Sequence, residues 1–219
     1  MPELNFVQKL VAAVIPVMLA ITVHEAAHGY AARYFGDRTA EMLGRLTLNP
    51  LKHIDPIGTI LVPAIAVMFT GFIFGWAKPV PVGFQNLRNP KRDMVFVAAA
   101  GPASNILMAI GWALFANLVA QPGLFAGMLG MLLIQMAVIG VLINTILAVF
   151  NMLPLPPLDG GRVAVGLLPE PASSKLASVE PYGFMIILAL LFTGILWPVI
   201  GPVISAVQAG VFRLAGLGL

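Results

Sequence analysis

Long apolar runs separated by short charged intervals dominate the chain. No Asp, Glu, Lys or Arg occurs in Pro56–Ala77, Met94–Leu158 or Pro181–Phe212, and Leu10–Val23 is likewise uncharged. A helix that crosses a bilayer needs about 20 apolar residues, so the middle run holds two helices, with Gln121-Pro122-Gly123 as the break. The pattern predicts a first helix over 6–35, bent at Pro16 and ended by Gly36-Asp37-Arg38, then a polar loop to Asp55. A second helix follows over 57–74. The prolines of 75–90 forbid a regular helix, and the alternation there predicts an extended, proline-rich hairpin. A third helix runs from Asn89-Pro90 to about Leu118 and a fourth over 127–152. A short amphipathic helix covers 161–168 and a fifth apolar helix 181–196. Trp197-Pro198 and Gly201-Pro202 interrupt the last run, which reads either as one long span or as two short ones reaching 217. The fold class is an all-α polytopic membrane protein, with about five to six transmembrane or re-entrant helices and a single membrane-embedded domain over 1–219.

Composition sharpens that reading. Of 219 residues 59% are hydrophobic and 10% charged, against about 25% charged in a soluble domain. The net charge of +3 sits in loops and forms no nucleic-acid stripe. With no cysteine, disulfides, thiolate ligands and cysteine nucleophiles are all excluded. The basic residues leave one conflict. Arg33, Arg38, Arg45 and Lys52 mark the first loop as cytoplasmic, and Lys78, Arg88, Lys91 and Arg92 mark the second loop the same way. Both cannot hold if the second helix crosses fully.

The chemistry concentrates at His24-Glu25-Ala26-Ala27-His28, which closes the uncharged run of the first helix. Histidines four apart share a helix face, roughly 6 Å apart along the axis. Both can ligate one zinc ion, and the glutamate between them can act as base on a water held there. A HExxH-type pentad alone is a short pattern that soluble surface helices also produce. Beside membrane-grade sequence, ionisable residues need a functional reason. A hydrolytic zinc site takes three protein ligands. The only other histidine is His53, and no later helix offers a glutamate. Asp159 follows a long apolar helix and precedes two glycines that allow close backbone approach. It is the third ligand expected, although Asp before Gly-Gly is by itself a common cap.

Other polar residues carry two readings each. His53 and Asp55 order the loop and cap the second helix. Gly101-Pro102-Ala103-Ser104-Asn105 serves close helix packing, or else presents Asn105 to a substrate carbonyl or oxyanion. Asn144 and Asn151 are polar residues of the fourth helix, and Asn151, nearer Asp159, is the better site candidate.

These motifs resemble the site-2 proteases, intramembrane zinc metalloproteases grouped as peptidase family M50. The resemblance covers nearly the whole chain, through His24 to Gly29, Asn49-Pro50 to Gly58, Gly101 to Asn105, and Asn151 to Gly161, including Leu158-Asp159-Gly160-Gly161 within the 155–161 element. Glu180-Pro181-Tyr182-Gly183 resembles the compact prokaryotic subgroup, without the PDZ or CBS domains of others. The resemblance implies one zinc ion per chain on His24, His28 and Asp159, with Glu25 as base. It also implies substrate contact by Asn105. The stretch around Trp76–Phe84 looks like the element that presents an extended substrate strand, and Val80, Val82 and Phe84 are the residues expected to line it. The implied substrates are single-span membrane proteins of the cell (inner) membrane, cleaved nearer the cytoplasmic side. The competing reading is a catalytically silent membrane protein that binds or transports metal. A transporter would spread ionisable residues along a path, and here they gather at one place.

Overall fold

A computed structural model of the chain describes residues 4–61, 68 and 78–217. Helix α1 spans Phe6–Tyr34. It starts at a capping box in which Gln8 N–H donates to Asn5 Oδ1 at 2.9 Å and Asn5 N–H donates to Gln8 Oε1 at 2.8 Å, satisfying two end donors reciprocally. Pro16 lies inside it and is buried. A single turn, α2, follows at Thr39–Met42. The long helices α3 (Pro90–Val119) and α4 (Gly127–Asn151) pack on α1 and on each other. Then come α5 (Asp159–Leu167), α6 (Ala172–Ala177), α7 (Glu180–Phe192) and α8 (Trp197–Leu214). α5 packs on α3, and α8 packs on both α3 and α4. Among the described residues α1, α3, α4 and α8 are long and apolar enough to cross a membrane. The last apolar run is therefore two helices, broken where Gly194 takes φ +72°.

The outside of this bundle is apolar and its inside is small. Leu10, Leu107, Leu114, Leu118, Leu142 and Val199 are exposed, as suits side chains solvated by lipid. The buried positions are rich in alanine: Ala12, Ala20, Ala109, Ala113, Ala137 and Ala148. Lipid offers no hydrophobic drive for helix association, so close backbone approach and dispersion do that work. Gly140 illustrates it, because a Cβ there would stand 2.3 Å from the Trp112 ring.

One expectation falls mostly outside the described residues and another needs correction. Most of the second helix expected at 57–74 lies outside the described residues; its first part, Pro56–Leu61, is a wide π-type turn. Asp55 caps it, accepting from Ile57 N–H at 2.9 Å and Gly58 N–H at 3.2 Å. The 75–90 hairpin is not a paired one among the described residues. Residues 78–83 are extended, 84–86 form a short 3-10 turn, and α3 begins at Pro90. Pro79 and Pro81 have no N–H with which to build a ladder, and other groups hold the segment instead. Lys78 N–H donates to the His53 carbonyl at 2.9 Å, and Arg45 donates to the Lys78 and Pro79 carbonyls at 3.1 and 3.3 Å. Gly83 N–H donates to Asp37 at 2.7 Å, and Arg88 N–H to the Phe35 carbonyl at 3.0 Å. These bonds bring both basic loops to one end of the bundle, where α1 ends and α3 starts, which removes the charge conflict.

Candidate metal centre

The pentad faces α3 and the start of α5. Asp159 Oδ2 lies 3.2 Å from His24 Nε2 and 3.3 Å from His28 Nε2, and the two Nε2 atoms are 3.1 Å apart. These three atoms form a nearly equilateral triangle. In a tetrahedral zinc site with bonds of about 2.0–2.1 Å, neighbouring ligand atoms lie about 3.3 Å apart. His24 and Asp159 are buried and His28 nearly so.

The helix bearing Asp159 begins two residues earlier than expected, which sets the aspartate in its first turn. Gly160 and Gly161 make that placement possible. A Cβ on Gly160 would stand 2.2 Å from the Met152 carbonyl oxygen, and one on Gly161 2.1 Å from Pro156 N. The turn is thus seated directly on the 152–156 backbone. Gly101 does the same for α3: a Cβ there would stand 2.4 Å from His28 Nε2 and 2.7 Å from His24 Cε1. α3 can pass beneath both rings only with glycine at that point.

The protons of the two imidazoles are assigned by what lies behind them. His28 Nδ1 faces the Val97 carbonyl at 2.8 Å. A carbonyl only accepts, so Nδ1 carries the proton and Nε2 a lone pair. His24 Nδ1 faces Asn105 Oδ1, with the same result. Asp159 Oδ2 is buried without a donor. With both rings in the neutral form that metal ligation requires, two nitrogen lone pairs and a carboxylate oxygen converge. A buried arrangement of that kind is compensated by a cation in its midst. Neutral histidines and a carboxylate suit zinc.

Glu25 is half-buried, and its Oε2 accepts the Val80 N–H at 2.7 Å. One carboxylate oxygen is thereby oriented.

The remaining candidates have the following surroundings. Asn105 is fully buried behind His24. The Asn151 amide turns back onto its own helix, donating to the Leu147 carbonyl at 3.0 Å. Val80 is buried, with its amide committed to Glu25. Since Pro79 and Pro81 lack N–H groups, the segment offers a substrate strand no donor across 79–81. Val82 and Phe84 pack inward against Ala32, Leu87 and Val97, and the Arg162 guanidinium covers the Phe84 ring at 5.0 Å from its centroid. The His53 ring donates through Nε2 to the Thr47 carbonyl of its own loop at 2.9 Å. Three contributors were not foreseen. The Val80 amide and the Val97 carbonyl are backbone groups that no side-chain pattern announces. Asn144 was visible as a polar residue within a span, but its neighbour in space was not.

A HExxH-type helix completed by a distant aspartate, set among membrane-length helices, is the arrangement of a multi-pass membrane zinc metalloprotease. The comparisons agree. The model for Peptidase family M50 matches residues 12–194, and the chain belongs to that family. It is 40% identical over 202 residues to "Putative zinc metalloprotease YwhC" of Bacillus subtilis, covering 92% of this chain and 89% of the relative. It is 31% identical over 191 residues to "Putative zinc metalloprotease Rip2" of Mycolicibacterium smegmatis, covering 87% and 70%. No solved structure gives a significant match.

Proposed function

We propose that this chain is an intramembrane endopeptidase of the cell membrane, a single catalytic domain that cuts transmembrane or membrane-proximal segments of single-span proteins near the cytoplasmic face. The depth of the His24–His28–Asp159 cluster carries the reading. His28 and His24 lie six and ten residues before the end of α1 at Tyr34, about 9 and 15 Å along the axis. The cluster is therefore below the basic end of the bundle and within the apolar length of the helices. The basic loops at that end argue for the cytoplasm.

In this reading His24, His28 and Asp159 hold the zinc. When bound, zinc lowers the pKa of a water toward about 7 and polarises the scissile carbonyl. Glu25, held in place by the Val80 amide, accepts the proton of the attacking water and returns it to the leaving nitrogen. Asn105 and Val97 accept from Nδ1 of the two rings, which leaves each Nε2 to face the ion. A helical substrate hides its peptide bonds in internal hydrogen bonds, so it must unwind locally to reach Glu25. The test is zinc content and cleavage measured together on purified wild type, Glu25→Gln and Asp159→Ala, with a panel of tagged single-span membrane proteins. About one zinc per chain with cleavage by wild type alone is the expected result. Zinc-free wild type after reloading, or normal cleavage by zinc-loaded Glu25→Gln, overturns it.

A further inference from the structure

We propose that Asn144, which touches neither metal ligand, is a positioning residue for the metal centre. Through Asn105 it fixes which nitrogen of His24 faces the ion. The proposal rests on the reading of His24 as a ligand.

Asn105 on α3 and Asn144 on α4 are both fully buried. Asn144 Nδ2 donates to the Gly140 carbonyl at 2.8 Å. That oxygen only accepts, so the amide has one orientation and Oδ1 of Asn144 points at Asn105. Asn105 Nδ2 then donates twice, to Asn144 Oδ1 at 2.8 Å and to the Ala20 carbonyl at 3.2 Å. With both amide protons committed to acceptors, Asn105 Oδ1 must face His24 Nδ1. The imidazole proton is thereby held on Nδ1 and the lone pair on Nε2, aimed at Asp159 and His28. Both ends of this chain of bonds are backbone carbonyls, which cannot reverse.

The two histidines differ in this respect. His28 is set directly by the Val97 carbonyl. His24 is set by an amide that could present either end. Without Asn144 only the longer bond to Ala20 opposes rotation of the Asn105 amide. Rotated, it would offer N–H to His24 Nδ1, favour the proton on Nε2, and block ligation. Partners behind a ligating histidine typically change metal affinity about 10–100-fold.

The test compares wild type, Asn144→Leu, Thr145→Val, Asn105→Asp and the double variant Asn105→Asp/Asn144→Leu, purified in detergent. Zinc retention against a competing chelator is measured on each, with the visible spectrum of the cobalt-loaded form. Thr145 is an equally buried neighbour whose Oγ1 donates to Val141 at 2.8 Å and accepts from Gln208 at 3.1 Å; Thr145→Val reports the general effect of removing a buried polar group from α4. We expect Asn144→Leu to hold zinc about 10–100-fold more weakly with a changed cobalt spectrum, and Thr145→Val to leave both as in wild type. A carboxylate at 105 accepts from His24 with either oxygen and needs no orienting partner. Asn105→Asp should therefore keep its zinc, and adding Asn144→Leu to it should remove no more. Wild-type zinc retention in Asn144→Leu overturns the proposal, as does equal loss in Asn105→Asp or in the double variant. If Asn144→Leu does not fold, Asn105→Asp decides alone, since a purely structural pair would lose zinc when its two donated bonds are removed. A wild type that binds no zinc overturns the ligand assignment itself, whereas zinc-replete wild type with insensitive variants overturns only the role of Asn144.

Discussion

Asp37 accepts from Gly83 N–H at 2.7 Å, from Thr39 N–H and Asn86 Nδ2 at 3.1 Å each, and from the Thr39 hydroxyl. Asp159 Oδ2, also buried, faces two imidazole nitrogens whose protons are committed elsewhere, and has no donor. The first carboxylate is a brace that joins the end of α1 to the proline-rich segment. The second is half of a site that needs a cation. Both residues are aspartates beside glycines, and the sequence around Asp159, after a long apolar helix and before Gly160-Gly161, points to a ligand without excluding a cap. What separates them is whether the surrounding groups present protons or lone pairs, and that depends on which elements meet there.

Four experiments press on this difference. Asp159→Ala should have the largest effect, removing bound zinc below detection in elemental analysis and abolishing cleavage. An Asp159→Ala protein that kept its metal would make Asp159 a brace like Asp37. Next in size, Glu25→Gln should lower the cleavage rate about 10²–10⁴-fold with zinc content unchanged, as judged by rate and metal assays on one preparation. Gly101→Ala should follow, since its new methyl group would press on both imidazoles; zinc retention against a chelator should fall about 10-fold or more, while helical content by circular dichroism stays the same. Removing the Asp37 side chain should behave in the opposite way to removing that of Asp159. Asp37→Ala is expected to lower stability by about 2–4 kcal/mol, read as an earlier thermal transition in detergent, and to leave zinc stoichiometry intact.

The smallest effect is a pH dependence, and it belongs to Asp37. Burial pushes its carboxyl up, but the hydrogen bonds from Thr39, Asn86 and Gly83 outweigh that and hold it below its ordinary value. A group with a lowered folded-state pKa contributes stability above its unfolded value, about 3.9, and loses it as the pH falls through the folded value. The thermal transition of wild type should therefore drop as pH falls below about 4, and Asp37→Asn should flatten that part of the profile. Equal slopes in the two proteins would remove Asp37 from the account.

The contrast also marks where legibility ends. The division of the last run stays open in the sequence between one span and two, whereas the apolar runs, the break at Gln121-Pro122-Gly123, the pentad, and the expectation of Asp159 rather than His53 beside it were legible there. Each rests on local spacing, on length against a bilayer, or on a short inventory of possible ligands. The glycines after Asp159 were readable as a close approach, though not the surface approached. The tertiary structure alone decided that Asn105 lies behind His24, that Asn144 extends that contact, and that the Val80 amide is spent on Glu25. Each is a hydrogen bond between residues at least 39 positions apart. The direction of the two amide bonds depends on which backbone carbonyl lies at the far side, and one-dimensional patterns carry no record of that.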